Sequence, residues 1–296
     1  MQTSVFTDKR YAFSGNQLAT FWDYYTNKDL SQEEMQGIAR EMNFSETTFA
    51  FPTEIEGCDS KVRIFTPGAE IPFAGHPTLG SAYVLKLKGI IQSEKKEAAL
   101  ELGIGLTPVE FLEENLIRMT QRAPEFLDEF GDKAALAEMV GIDEIDISEE
   151  FPTRFVSTGH PFLIVPLKTL SAVKKASPNG QMILDTLENE VSQNAVILCT
   201  QTVHEDSHAH VRMFAPDVGV LEDPATGSAA GPIGAYLEHH EVLSGHQYGE
   251  RMSIEQGHEM MRPSLLHVQT VGKDDIKSVL VSGTVRLVAE GEFYLP

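Results

Sequence analysis

The chain says nearly the same thing twice, about half its length apart. Arg63-Ile64-Phe65-Thr66-Pro67 precedes Gly75-His76-Pro77-Thr78-Leu79-Gly80-Ser81-Ala82, and Arg212-Met213-Phe214-Ala215-Pro216 precedes Glu222-Asp223-Pro224-Ala225-Thr226-Gly227-Ser228-Ala229. R-x-F-x-P recurs after 149 residues and P-x-x-G-S-A after 147, a period too long for a solenoid repeat. Two further echoes keep the same order: Ser14-Gly15-Asn16 with Thr158-Gly159-His160, and Leu100-Glu101-Leu102-Gly103 with Ile254-Glu255-Gln256-Gly257. Four collinear matches imply two similar halves. Gly-His stands before the first P-x-x-G-S-A and Glu-Asp before the second, so a cleft enclosed by the halves would carry different chemistry on its two walls.

The 296 residues, 42 % hydrophobic and 23 % charged, suffice for a sizeable core or two. A formal charge of -21 repels phosphate backbones and anionic headgroups, so no nucleic-acid or membrane partner is expected. No uninterrupted apolar run has the length of a signal peptide or spanning helix, and the expected location is the cytoplasm. Cys58 and Cys199 are too few for a disulfide framework and fit no metal-ligand spacing, so inert thiols are expected. Neither G-x-G-x-x-G nor G-x-x-x-x-G-K-[ST] occurs, and neither a nucleotide cofactor nor a metal is predicted.

Ser31-x-x-Glu34 has capping-box spacing, and Met35, Ile38, Ala39 and Met42 recur at helical intervals, predicting a helix over 31–42 closed by Asn43. Ser45 to Phe51 reads as a strand with Glu46 at its beginning. A strand over 61–65, a Gly/Pro-rich loop over 67–77 and a helix over 78–88 stopped by Gly89 follow. The second half repeats this with strands at 195–202 and 209–214 and a helix over 225–239. Strands at 99–105, 107–112 and 115–121 come between, then a short helix at 134–140, and a final strand pair at 277–289. The reading is a mixed α+β protein with an N-terminal half over 1–125, a C-terminal half over 126–285, and a tail, 286–296, returning to the first half.

Asp223-Pro224 has a plain structural explanation, since Asp caps helices and Pro suits the first helical position. The small residues Ala225 to Ala229 add another possibility: backbone N–H groups left uncovered at a helix N-terminus favour a carboxylate. Pro77 to Ser81 would form the matching terminus, which points to a small anionic ligand. Glu46 is either a solvated strand end or, held against Thr47-Thr48-Phe49, a carboxylate whose charged form burial disfavours, as proton transfer near neutral pH requires. His76 serves equally as a hydrogen-bond donor, a proton shuttle or a packing residue. His204, His208 and His210 match no zinc signature and read as a solvated hairpin tip around Glu205-Asp206.

Ser14-Gly15-Asn16, Ser45-Glu46-Thr47-Thr48-Phe49, Ala74-Gly75-His76-Pro77-Thr78, Glu222 to Ala229 and Glu255-Gln256-Gly257 together resemble the phenazine-biosynthesis PhzF-like isomerase family, in order along nearly the whole chain. The resemblance implies the diaminopimelate-epimerase fold: two similar halves related by pseudo-twofold symmetry, each a curved mixed sheet around a central helix, with the active site between them. It implies a cofactor-free isomerase and a homodimer. It also implies Glu46 as the proton carrier, with His76, Asp223 and Ser228 as further polar site residues and Gly75 and Gly227 as backbone N–H donors to substrate. Fold-related epimerases use opposed cysteines, whereas Cys58 and Cys199 lie outside the motifs. Gln17, where Pro is expected, and Met261, where Gly is expected, depart from the pattern and bear on loop shape and substrate. Two rival functions remain open: an amino-acid racemase or epimerase with Glu46 and Asp223 as opposed bases, and a non-catalytic binder of small anions.

Overall fold

The computed structural model describes residues 1–272 and 275–295. The chain divides into two compact units: Met1–Met119 together with the stretch from Ser282, and Thr120–Val281. Unit 1 holds β1 (Gln2–Val5), β2 (Asn16–Phe21), α1 (Tyr24–Asn27), α2 (Gln32–Met42), β3 (Glu46–Phe51), β4 (Ser60–Phe65), β5 (Glu70–Ile71), α3 (Gly75–Leu87), β6 (Glu97–Leu102) and β7 (Gly105–Phe111). β8 (Leu116–Gln121) leads the chain into unit 2, which holds β9 (Glu125–Glu129), α4 (Lys133–Val140), β10 (Arg154–Ser157), β11 (Pro161–Pro166), α5 (Leu170–Lys175), α6 (Gly180–Thr186), β12 (Ala195–Cys199), β13 (Ala209–Ala215), β14 (Val220–Asp223), α7 (Gly227–His239), β15 (Met252–Gln256) and β16 (Ser264–Gly272). β17 (Ile276–Ala289) returns the chain to unit 1, where Gln2 to Val5 pair with Ala289 to Val285. Where a final strand pair was expected, one strand of 14 residues runs through, because Ser282-Gly283 does not turn the chain: Gly283 packs against Phe6, whose ring stands 2.1 Å from where a Cβ would be.

Strand pairing follows one order in both units. In unit 1, β1–β2 is antiparallel, β2–β3 parallel, β3–β4 and β4–β5 antiparallel, β4–β6 parallel and β6–β7 antiparallel. In unit 2 the same sequence runs β10–β11, β11–β12, β12–β13, β13–β14, β13–β15 and β15–β16. Mixed sheets of this kind bury both faces. α3 lies against β1, β2, β3 and β6, and α7 against β10, β11 and β16. Both helices have 13 residues, ten of them buried, which explains why neither shows the apolar stripe of a surface helix.

The repeated R-x-F-x-P acquires a physical meaning here. Arg63 donates a two-pronged hydrogen bond to Glu70 at 2.7 and 2.7 Å, and its guanidinium lies 5.2 Å from the Phe65 ring centre. Arg212 grips Glu222 at 2.8 and 2.8 Å and lies 5.4 Å from the Phe214 ring. Two residues apart on a strand, Arg and Phe share a face, so the ring supports the fork.

Two sequence expectations about the helix entrances are corrected. α3 begins at Gly75, so His76 lies in its first turn and not in a loop. Pro77 does not delay the helix, because first-turn N–H groups have no intrahelical partner to lose. α7 begins at Gly227 after Thr226, and Asp223 ends β14, so neither Asp223 nor Pro224 caps the helix. These starts also shift the register of the repeat. Gly75 matches Gly227, and Glu70-Ile71-Pro72 matches Glu222-Asp223-Pro224. A Cβ on Gly103 would sit 2.7 Å from the Pro72 Cα, and one on Gly257 2.5 Å from the Pro224 carbonyl oxygen. Pro72, and not Pro77, is therefore the counterpart of Pro224.

Candidate active site

β3 opens on Glu46, which sits opposite Leu18 of the parallel β2. The first turn of α3 brings His76 beside it: Nε2 lies 3.3 Å from Glu46 Oε2, with side-chain exposures of 4 % and 14 %. Burial pushes the His76 imidazole down to about 3, so the ring is neutral at physiological pH. The pair is thus a neutral imidazole against a carboxyl group, not an ion pair. On the far side of the ring, Asn16 Nδ2 lies 3.2 Å from His76 Nδ1. An amide N–H donates and does not accept, so the Asn16 contact favours the lone pair on Nδ1, while Nε2 and Glu46 Oε2 approach each other without forming a hydrogen bond.

The wall behind this group is polar but satisfied. Ser81 donates to Thr48 at 2.9 Å and Thr48 to Thr20 at 3.0 Å. Ser81 is therefore a fully buried structural hydroxyl inside α3, unlike its sequence echo Ser228. Gly80 lets α3 come this close, since a Cβ there would meet Leu18 at 2.5 Å. Gly15 holds φ +79° ahead of Asn16, with the Val5 carbonyl 2.5 Å from where a Cβ would stand, so only Gly fits.

In unit 2 the entrance to α7 is held by a different network. Thr226 donates to Asp223 Oδ2 at 2.6 Å. Gln256 Nε2 donates to the Asp223 carbonyl at 2.7 Å and to Thr226 Oγ1 at 2.9 Å, while its Oε1 accepts from the Thr226 N–H at 3.1 Å. Gln121, itself held by Thr158 at 2.6 Å, donates to the Gly227 carbonyl at 2.8 Å. No side chain caps the α7 N-terminus, as none caps that of α3. Ser228 is half-buried in a first turn otherwise closed to solvent. Uncapped N–H groups of Gly227 and its neighbours, together with the Ser228 hydroxyl, suit an anionic group.

The structure thus brings Glu46, His76 and Gly75 together in unit 1, and Asp223, Gly227 and Ser228 together in unit 2. Sequence reasoning assigns Asn16 no role, although it stands in the echoed Gly-Asn and Gly-His pairs. Gln256 was equally unassigned, although it stands in Glu-Gln-Gly. Cys199 is buried and its thiol is pushed up to about 12 by desolvation, and burial raises half-buried Cys58 as well. A cavity of about 960 Å³ in unit 1, lined by Gln36, Arg40, Arg63 and Glu70, includes none of the site residues.

The family model described as phenazine biosynthesis-like protein, PhzC-PhzF, matches residues 3–291. The chain belongs to the PhzC-PhzF family. It is 34 % identical over 286 residues to trans-2,3-dihydro-3-hydroxyanthranilate isomerase of Pseudomonas aeruginosa, covering 95 % of this chain and 94 % of that one. It is 33 % identical over 302 residues to an uncharacterized isomerase of Clostridium acetobutylicum, covering 99 % and 97 %. Among solved structures, the PhzF-family phenazine biosynthesis protein of Bacillus anthracis superposes with a TM-score of 0.88 at 30 % identity, covering 99 % of this chain and 98 % of that one. Membership places the protein among the PhzF-family isomerases. Among the described residues no helix is long and apolar enough to cross a membrane.

Proposed function

We propose that this PhzF-family isomerase moves a proton between carbon atoms of a small carboxylate-bearing substrate without a cofactor, Glu46 being the acid/base. The observation that carries the reading is the Glu46–His76–Asn16 array. It is a carboxyl group at a strand entrance, 3.3 Å from a neutral, buried imidazole that Asn16 contacts on its other side. The Glu46 carboxylate takes a C–H proton, the electron pair passes into the adjacent π system, and the resulting carboxylic acid returns the proton to the far carbon. Bonds and electrons balance without an oxidant or reductant. His76 stays neutral beside the carboxylate, so it adds no competing charge to the proton transfer. The Ser228 hydroxyl and the Gly227 N–H suit a substrate carboxylate, and Asp223, oriented by Thr226 and Gln256, suits another polar group. The substrate class is that of the Pseudomonas relative, a hydroxylated or aminated unsaturated acid. The common pairing order of the two units supports an internal duplication. Racemisation by a cysteine pair finds no support, because neither thiol lies at a helix entrance and both are held protonated.

The test is isomerisation of trans-2,3-dihydro-3-hydroxyanthranilate and of related acids in D₂O, followed by NMR. Turnover should give the bond-migrated isomer, whose new C–H carries the substrate's own proton or, where the Glu46 acid exchanges with solvent before returning it, a deuteron, and Glu46→Gln should abolish turnover. Deuteration at a stereocentre without bond migration would replace the reading by epimerisation, and binding without turnover would replace it by a non-catalytic role.

A further inference from the structure

Ten histidines are spread over the chain, nine of them between residues 160 and 267, and unit 2 folds several of these against carboxylates that take no part in the α7 entrance network. The connection between β12 and β13 carries Glu205 and Asp206 on an exposed tip, as its sequence suggests, but the histidines around it are not solvated: His204 and His208 are half-buried and His210 is fully buried in β13. His204 in that connection, Glu255 in β15 and His258 just beyond it present one ligand atom each, all within 4.8 Å of one another. Behind them, His210 Nδ1 lies 3.0 Å from Glu255 and Nε2 lies 3.1 Å from Glu259.

We propose that His204, Glu255 and His258 form a binding site for one divalent transition-metal ion of the zinc class. Two imidazoles and a carboxylate are the donor set that such ions favour, whereas calcium and magnesium demand more oxygens. Donors on a tetrahedral ion stand about 3.3 Å apart, so the ring torsions of His204 and His258, both in turns, must draw the set in by roughly an ångström. Glu255 is prepared for the task. Its oxygens accept the Val203 and His204 N–H groups at 2.8 Å each. His210 and Glu259 form the supporting layer that such sites use to orient a ligand. Three protein ligands leave an open coordination position. The ion would tie the 200–208 connection to the 257–262 turn, one residue from Gln256, and its part is structural: a brace on the strand end that holds Asp223.

The experiment treats the intact protein with chelator, removes the chelator, and titrates with Zn²⁺ by calorimetry and with Co²⁺ by visible absorption. The expected result is one equivalent bound, a tetrahedral-type cobalt spectrum, and a zinc-dependent rise in melting temperature. His204→Gln and His258→Gln, each half-buried and each checked for an unchanged apo melting profile, should weaken binding at least about 100-fold, more than loss of an outer-layer partner costs. His239→Gln, on exposed helix surface, should bind as wild type. Paramagnetic broadening by Co²⁺ of the His204 and His258 ring resonances locates the ion even if a variant fails to fold. No uptake by the wild type, or wild-type affinity in both ligand variants, overturns the site.

Discussion

The entrances of α3 and α7 are built alike and equipped differently. Each begins on Gly after an extended residue that offers no side-chain cap, and each follows a Glu gripped by an Arg fork. At the second helical position α3 carries His76 and α7 carries Ser228. Where unit 2 has Asp223, unit 1 has Ile71. The strand entrances differ as well. Phe49 sits opposite Arg63 and Ile197 opposite Arg212, so the counterpart of Glu46 is Asn194. Asn16 is echoed by His160, whose Nε2 lies 3.0 Å from Asn194 Nδ2. Unit 1 therefore has a carboxyl group, which can take and return a proton as proposed, and unit 2 has an amide at that place, which can do neither. On the proposed reading, the common strand order supplies position in both units, while the residues that differ at a few matched places supply chemistry on one side.

The sharpest way to break this comparison is to neutralise each strand entrance in turn. Glu46→Gln should lose about 10²–10⁴-fold in kcat, with KM changed far less, because the amide keeps the shape and loses the proton. Asn194→Ala should leave kcat within about tenfold, the loss of one neutral hydrogen bond. Steady-state kinetics on the same substrate decide it, and an equal loss in both variants would end the one-sided assignment.

Next in size is the anion-binding role of the α7 entrance. Ser228→Ala should cost about 1.5–3 kcal/mol of substrate binding, roughly tenfold or more in KM or Kd, and a bulky residue at Gly227 should do at least as much. Unchanged affinity in both variants would remove the carboxylate from this entrance.

The acid limb of stability separates the two entrances through His76 alone. Its folded value of about 3 lies below the ordinary value of 6.5, so between those limits the unfolded chain binds the extra proton. The stability present above pH 6.5 is then lost as pH falls toward 3, with a slope from this group of up to about 1.4 kcal/mol per pH unit. Urea titrations at a series of pH values should show a shallower acid limb for His76→Asn than for the wild type, and no such change for Ser228→Ala. A parallel limb in His76→Asn would mean that the imidazole is not held neutral.

What the sequence disclosed and what it hid divide along range of contact. Ser31, Glu34 and the apolar spacing after them fix α2 within a dozen residues, and the capping box is present as read. Glu46 opens β3 as expected, because β-branched and aromatic neighbours declare a strand. The helix entrances were misplaced because Pro77 was taken as an outer boundary and P-x-x-G-S-A as the anchor of the repeat, whereas packing aligns Pro72 with Pro224. Asn16 and Gln256 act on partners 60 and 30 or more residues away, and no local pattern reports a hydrogen bond of that span. His210 was read as solvated for the same reason, since Glu255 and Glu259 reach it from two strands on.

The smallest expected effect concerns the turns that follow the two matched packing glycines, Gly103 and Gly257. After Gly103, the turn between β6 and β7 places Gly105 at φ +101°, a conformation open to Gly. After Gly257, the turn toward β16 places Met261 at φ +59°, where an L residue crowds its own Cβ at a cost of roughly 1–2 kcal/mol. This is the position at which the family pattern leads one to expect Gly. Met261 is 84 % exposed, so truncation sacrifices little packing, while Gly returns part of the gain as added freedom in the unfolded chain, about 0.4–1 kcal/mol. Met261→Gly should therefore raise stability by up to about 1 kcal/mol, read as a higher urea midpoint at unchanged m-value. If the strained apolar side chain is kept for substrate, the same variant should lose kcat/KM on the native substrate while gaining stability, which would make the unit-2 turn a specificity element with no equivalent in unit 1. A lower midpoint would show that Met261 holds its turn together in the free protein, and the contrast with Gly105 would then be one of packing and not of strain.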